Sequence, residues 1–538
     1  MNDERERARE GVPPYIASYR LAQTGEAHVN VHSGGLRSLW RLIVPWTPIK
    51  VVFAWTRTRL FGRDSSVLLR LIASSAILSL LLAPLTSWSI DTPSFVSAVL
   101  SLIYNGSPYA GHVFFNPPLG PYLQAPLFAM LVQWVAPQSL LVTVGTISPG
   151  AIATGASSEI PTAAALLALK VPLILAFLLS SLCVRYLAEG IVGVARANRV
   201  VAAWALNPLV IWATAVHGEL DILSATFVLL FLVATVRRWY FLAGLSLALG
   251  ILSKAYPLAI LPAALVGVCV VEITPGFRTQ LPRIVAFLIG VGSGLAPFIP
   301  YASTFISMYG GAYPATDYGG FNIGLIANRT IFLPSNGVLN SWLTAPNGEF
   351  LEGALRTLFY ISIPGSVALV LLLRRAALSS NTNPASSLAR PMLFAYAWPL
   401  AGILMFQPSP QSENLITLLA ILLLLGAVGV AEGKQASRVL FWLLSSAGWM
   451  LYLALATPLA FFYPLAAYLG PGAIAGVNYA LVAYSRNTMI PRIMLWSIAG
   501  LAGGSVILCV WVLSLVTTLR ICRPGLRAVQ GSSDACGR

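Results

Sequence analysis

Residues 89–124 read SIDTPSFVSAVLSLIYNGSPYAGHVFFNPPLGPYLQ, an irregular stretch directly after the first strongly apolar run of the chain. It carries one carboxylate, Asp91, and one imidazole, His112. Thr92-Pro93 is a helix-start signal, with threonine suited to the N-cap and proline to the first helical position. The pattern predicts a short apolar helix over 93–104 lying along the membrane surface. Asp91 then sits at its electropositive N-terminus, either as an aid to the cap or as a chemical group. Asn105-Gly106-Ser107-Pro108 reads as a turn, and Asn116-Pro117-Pro118 cannot lie inside a helix.

The rest of the chain explains why such a loop stands out. Of 538 residues, 57% are hydrophobic and only 9% charged, with a mean hydropathy of +0.78. Soluble domains carry about 25% charged residues, so lipid must solvate much of this surface. Repeated apolar runs of about 17–25 residues indicate transmembrane helices. In lipid, each segment must satisfy its own backbone polar groups, which makes the fold an all-α polytopic bundle. The net charge of +15 does not indicate nucleic acid. Arg and Lys gather in the N-terminal tail, in short loops and after the last apolar run, as cytoplasmic flanks do. The five cysteines form neither a CxxC motif nor a Cys/His cluster, so no disulfide framework or zinc-finger site is expected. The charged N-terminus does not read as a cleavable signal peptide.

Residues 1–66 are expected to form a cytoplasmic tail and an interfacial segment, the latter interleaving Trp, Arg and Lys with aliphatics. A transmembrane domain is expected over 67–519 and a second cytoplasmic tail over 520–538. Spans are read at 67–88, 161–183, 200–216, 222–236, 240–253, 257–272, 284–303, 357–373, 391–406, 415–431, 439–462 and 493–519, about 12 in all. Residues 121–136 and 139–155 are apolar but short, and read either as two thin spans or as a re-entrant pair. Outer loops are expected over 89–160 and 304–355. The basic residues Arg185, Arg196, Arg199, Arg237 and Arg238 mark inner ends. That sidedness puts Asp91, the His217-Gly218-Glu219-Leu220-Asp221 stretch and Lys254 on one non-cytoplasmic face.

Ionisable groups at membrane depth are costly and usually functional. His217, Glu219 and Asp221 place an imidazole and two carboxylates in five residues; on one helix, His217 and Asp221 would share a face. Lys254 meets Tyr256-Pro257 where two short apolar runs join, and could equally be a snorkelling lysine. Lys170 lies deep in a span, where a carbonyl or carboxylate could neutralise it. Moving a sugar off a polyprenyl phosphate needs a base near the acceptor hydroxyl and groups that hold the departing phosphate. Asp91 suits the first role, Lys254 and His217 the second. Asp91, His217, Asp221 and Lys254 are expected to line one outer cavity.

At these residues the chain resembles the polyprenyl-phosphate-sugar-dependent glycosyltransferases of the GT-C fold, most closely the catalytic subunit of GPI mannosyltransferase I. The resemblance rests on Asp91, Gly106-Ser107-Pro108-Tyr109, Pro118-Leu119, Leu206-Asn207-Pro208, Gly218 to Asp221, Lys254 to Pro257, Leu261-Pro262 and Gln411, in the family's order. Ser89 stands where the family's first acidic residue would be. The resemblance implies a GT-C-like bundle and transfer of a hexose, mannose in that family, from a dolichyl or polyprenyl phosphate sugar. The acceptor would be lipid-linked or a glycan, and the enzyme would work in the endoplasmic reticulum or at the plasma membrane, on the non-cytoplasmic side. Asp91 is the expected catalytic base, with His217, Glu219, Asp221, Lys254, Tyr256, Lys170, Gln411 and Tyr109 as the expected substrate-binding residues; His217 and Glu219 stand where that family tends to carry other polar residues. No residue is assigned to a metal, and a divalent metal stays open as cofactor. Membrane lipids, the sugar donor, the acceptor and a small membrane subunit are the expected partners, without nucleic acid. Two alternatives remain: a non-catalytic relative of the GPI transamidase U-subunit type, and a polytopic transporter, whose charges would line a midplane path.

Overall fold

In the computed structural model, the residues described are 65–87, 91–110, 114, 116–143, 159–270, 277–312, 357–372, 384–406, 415–431, 463–470, 472–477, 479 and 507–520. The outer loop expected at 304–355 is described only to 312. Gln411, His112, Ser89 and the span at 439–462 lie outside the described residues.

The chain begins with α1 (Ser65–Leu82) and α2 (Asp91–Asn105), followed by the short α3 (Leu119–Leu131). A small antiparallel ribbon of β1 (Leu141–Thr143) and β2 (Glu159–Pro161) comes next, pairing Val142 with Ile160. The ribbon leads into α4 (Ala163–Val192), the longest helix among the described residues, whose Thr162 side chain accepts from the Ala165 amide at the N-cap. α5 (Val194–Ala205) and α6 (Pro208–Ile211) are followed by a π-helical turn at Trp212–His217. Asn207 caps α6 by accepting from the Leu209 amide, and Pro208 fills the first position, where its missing N–H costs nothing. The chain continues through α7 (Asp221–Val236), α8 (Tyr240–Ser253), a 3-10 turn (Tyr256–Ile260), α9 (Leu261–Val270), α10 (Phe277–Leu295) and α11 (Ala302–Ala312). The described remainder includes α12 (Thr357–Leu372), α13 (Pro384–Phe406), α14 (Leu415–Ala431), α15 (Tyr463–Leu469) and α16 (Ile507–Arg520).

The expected all-α architecture holds, with two differences. Residues 121–136 do not form a full span: 121–131 make up most of α3, and a turn and β1 follow, while 144–155 lie outside the described residues. At about 1.5 Å rise per residue, a 13-residue helix is too short for a hydrocarbon core of about 30 Å. Second, most helices among the described residues are shorter than a full span. Among the described residues, α4 and the continuous helical run Gln280–Ser307 are long and apolar enough to cross a membrane. The pair Val194–Ala205 and Pro208–His217 joins them only if its 49° bend is counted within one span. That bend lies at Asn207-Pro208, where the cap starts a new helix axis.

Small residues and hydroxyls hold the helices together where lipid supplies no hydrophobic drive between them. α8 and α10 make the most extensive pair. A Cβ added at Gly244 would lie 2.0 Å from the Phe287 carbonyl oxygen, and one at Gly290 2.1 Å from that of Phe241. Only glycine admits that approach. Hydroxyls and indoles tie other pairs: Ser75 Oγ donates to the Ala205 carbonyl at 2.7 Å, Thr226 Oγ1 to the Ala176 carbonyl at 3.0 Å, and Trp204 Nε1 to Ser180 Oγ at 2.8 Å.

Candidate active site

Five helix ends meet around the residues singled out from sequence. Asp91 opens α2, His217 closes the π-turn, Asp221 opens α7, Lys254 follows α8, and Thr417 lies in the first turn of α14. The predicted helix over 93–104 therefore begins two residues early. Thr92 is helical and buried, with no hydrogen bond to its hydroxyl among the described residues, so it does not act as the cap. Pro93 remains tolerated because the first-turn amides have no partner in the helix anyway. Asp91 is a first-turn carboxylate and is half-exposed.

His217 and Asp221 do not share a helix. The π-turn ends at Gly218, whose φ of +84° is the left-handed conformation that glycine adopts without cost. The Gly218 and Glu219 amides both donate back to the Ala213 carbonyl, at 3.0 and 2.8 Å. This break turns the chain so that His217, Glu219 and Asp221 all reach one cluster, a result the proposed i, i+4 helix would not give. Leu220, between them, is fully buried, and a Cβ at Gly120 of α3 would meet its side chain at 2.6 Å.

The side chains form one continuous polar line. Asp91 Oδ2 lies 3.5 Å from His217 Nε2, which is 3.2 Å from Glu219 Oε1. Lys254 Nζ reaches Glu219 Oε2 at 3.4 Å and Asp221 Oδ2 at 3.3 Å. The Tyr256 hydroxyl donates to Asp221 Oδ1 at 2.9 Å and lies 2.8 Å from Thr417 Oγ1. Glu219 and Asp221 are buried, and the Asp91 side chain retains 31% exposure, making it the line's outlet. Burial pushes the Glu219 carboxyl up to about 7; Lys254 and His217 oppose the rise, and Asp91 and Asp221 add to it. Of the nine sequence candidates, six are thus brought together: Asp91, His217, Glu219, Asp221, Lys254 and Tyr256. The expectation that Lys254 would face a phosphate meets an obstacle, since its ammonium is clamped between two buried carboxylates.

Lys170 is fully buried in α4 and serves the same region differently. Its ammonium donates to the carbonyls of Ala83 at 3.2 Å, Ala215 at 2.8 Å and Val216 at 2.9 Å, and also to that of Thr86. These carbonyls belong to the segment after α1, which leads to Asp91, and to the π-turn just before His217. A cation here answers the carbonyl ends of two helices at once. Thr86 Oγ1 adds a bond to the Ala215 carbonyl at 3.3 Å. A Cβ at Gly218 would come 2.9 Å from Lys170 Cε, so glycine also leaves room for this lysine.

Tyr109 is buried and outside the polar line. Its hydroxyl donates to the Asn116 carbonyl at 2.9 Å, and its ring packs on Phe114 and Tyr301. Burial pushes its phenol up, which keeps it neutral and a donor. Tyr301 donates to the Gly106 carbonyl at 3.0 Å and lies 2.8 Å from the Tyr122 hydroxyl, tying the 105–118 loop to α3. Thr417 escaped notice in the sequence, as did Ser224, whose hydroxyl lies 3.5 Å from that of Thr417. Hydroxyls in apolar helices are common, and nothing in their spacing marks them.

No family model matches the chain, and no curated protein matches it. Among solved structures it is similar to ArnT from Cupriavidus metallidurans in the apo state, at 14% identity and a TM-score of 0.41, over 84% of this chain and 77% of that one. It is likewise similar to ArnT from the same organism bound to undecaprenyl phosphate, at 13% identity and a TM-score of 0.40, over the same shares. At that level of likeness, neither structure says what this chain does.

Proposed function

We propose that the chain is an integral-membrane glycosyltransferase that moves a hexose from a polyprenyl phosphate sugar to a lipid-linked or glycan acceptor. The observation that carries this is the half-exposed Asp91 carboxylate, held at a helix start and backed by the buried His217–Glu219–Lys254–Asp221 line. A transporter would place its charges along a path through the bundle, whereas these gather where helix ends meet and surface at one carboxylate. The ordered motifs add to the reading, because three of them, Asp91, Gly218 to Asp221 and Lys254 to Pro257, meet at this site.

Asp91 Oδ2 faces the imidazole, which leaves Oδ1 to take the proton from the acceptor hydroxyl. The acceptor oxygen then bonds the anomeric carbon as the carbon–oxygen bond to the phosphate breaks. That electron pair leaves with the polyprenyl phosphate. His217 orients the carboxylate, and Glu219 with Lys254 fixes His217. Mannose is the sugar the sequence resemblance implies, and the non-cytoplasmic face is the side that the distribution of basic residues implies. A transfer assay across several polyprenyl phosphate sugars tests the reading. Transfer from at least one donor by the purified protein supports it, and transfer from none removes it.

A further inference from the structure

We propose that Lys170 is a positioning residue for sugar transfer, which sets the approach of Asp91 to His217 through the backbone without touching substrate. Its side chain is fully buried. An ammonium carries three N–H groups, and the carbonyls of Ala83, Thr86, Ala215 and Val216 all accept from it. It has no donor to spare for a phosphate or a sugar hydroxyl, so any influence on the reaction runs through the segments it holds. Among the described residues, no carboxylate pairs with it. Burying a charge is costly, and a methionine would fill much the same space. Packing alone does not account for a lysine here.

The four carbonyls come from two segments far apart in sequence, and each segment leads to one of the two groups in contact at the outlet of the polar line. Thr86 lies five residues before Asp91, and Val216 immediately precedes His217. Both sets of carbonyls sit at or just beyond a helix C-terminal end, where unpaired acceptors attract a cation. One ammonium therefore fixes the spacing of the two segments, and with it the 3.5 Å from Asp91 Oδ2 to His217 Nε2. The pin is itself anchored. Gln124 Nε2, buried on α3, donates to the Leu169 carbonyl at 3.0 Å and holds the turn of α4 that carries Lys170. Lys254 cannot stand in, because its ammonium is committed to Glu219 and Asp221. Resting on the transferase reading, loss of Lys170 lets Asp91 and His217 part, and the carboxylate then meets the acceptor hydroxyl out of line. Misplacement by about 1 Å costs up to about 100-fold in rate.

The test compares the full-length wild type with Lys170→Met and Lys170→Gln, purified in detergent and assayed well below their melting temperatures with a polyprenyl phosphate sugar. In Lys170→Met, kcat is expected to fall about 10- to 100-fold while the donor KM stays within about twofold. Lys170→Gln keeps an amide donor and is expected to lose less. Gly244→Ala, which strains the α8–α10 contact instead, is the control: it should lower the melting temperature and keep kcat. A readout independent of transfer is the structure of Lys170→Met by cryo-electron microscopy with a bound antibody fragment, in which the Asp91–His217 contact is expected to open beyond hydrogen-bond distance. Wild-type kcat in Lys170→Met, a loss confined to KM, an equal loss of kcat in Gly244→Ala, or an unchanged Asp91–His217 contact each overturns the proposal. Failure of both Lys170 variants to fold also overturns it, by assigning the lysine to stability alone. A wild type that transfers no sugar, with the contact opened in Lys170→Met, removes the transferase reading and leaves the pin standing; transfer by both proteins at one kcat does the reverse.

Discussion

Lys170 and Lys254 are both buried lysines, yet they do different work, and substitution separates them. Lys170→Met removes the donor to four carbonyls at two helix ends. Each buried acceptor left without a partner costs about 1–3 kcal/mol, so thermal unfolding in detergent should show a loss of about 3 kcal/mol or more. Lys254→Met leaves Glu219 and Asp221 buried beside each other without their cation. Breaking a buried pair from one side costs about 3–5 kcal/mol, and the same measurement should show it. Unchanged melting of either variant would contradict the bonding described. Sequence singled out both lysines correctly as unusual, because a charge in an apolar run needs an explanation. It could not distinguish their roles, since whether a carbonyl or a carboxylate lies within reach depends on Thr86, 84 residues from Lys170, and on Glu219, 35 residues from Lys254.

At the scale of elements, glycines decide where backbones approach and where they turn. Gly218→Ala forces a side chain into a left-handed conformation, at about 1–2 kcal/mol, and pushes against Lys170. Gly244→Ala drives a methyl into the Phe287 carbonyl region, and overpacking of this kind costs about 1–3 kcal/mol. Both should lower the melting temperature, and Gly218→Ala should also reduce transfer by displacing His217 and Glu219. Gly292, where an added Cβ would meet nothing within 4 Å, should tolerate alanine and serves as the control. The apolar runs made the helices legible, and Leu206-Asn207-Pro208 marked a real helix start. The π-turn was not legible: its apolar run reads as ordinary helix. Gly218 was the available clue to the break, and a lone glycine within a polar cluster does not reveal its φ. The 121–143 segment misled for a related reason. Its length and apolar content suit a thin span, while its proline and glycine content allows a turn and strand instead.

Across the whole molecule, residues 91, 217–221, 254, 256 and 417 converge although no local pattern links them. Sidedness deduced from basic residues put the first three groups on one face, and the distances between them agree with that grouping. The side of the membrane itself is a prediction. In a cysteine-free background, Asn105→Cys on the exposed end of α2 should react with an impermeant maleimide applied from the non-cytoplasmic side. Labelling from the cytoplasmic side alone would invert the topology. What sequence could not supply was the order of contacts, Asp91 to His217 to Glu219 to Lys254 to Asp221, and the exposure that distinguishes Asp91 from the acids behind it. That order is why we propose Asp91 as the reacting group and the others as its support. The most direct test is therefore sugar transfer from a polyprenyl phosphate donor by Asp91→Asn, an isosteric change at the exposed end of the line. Loss of transfer by about 100-fold or more, the scale of general-base catalysis, with melting unchanged, is the predicted result; transfer at the wild-type rate would contradict the account.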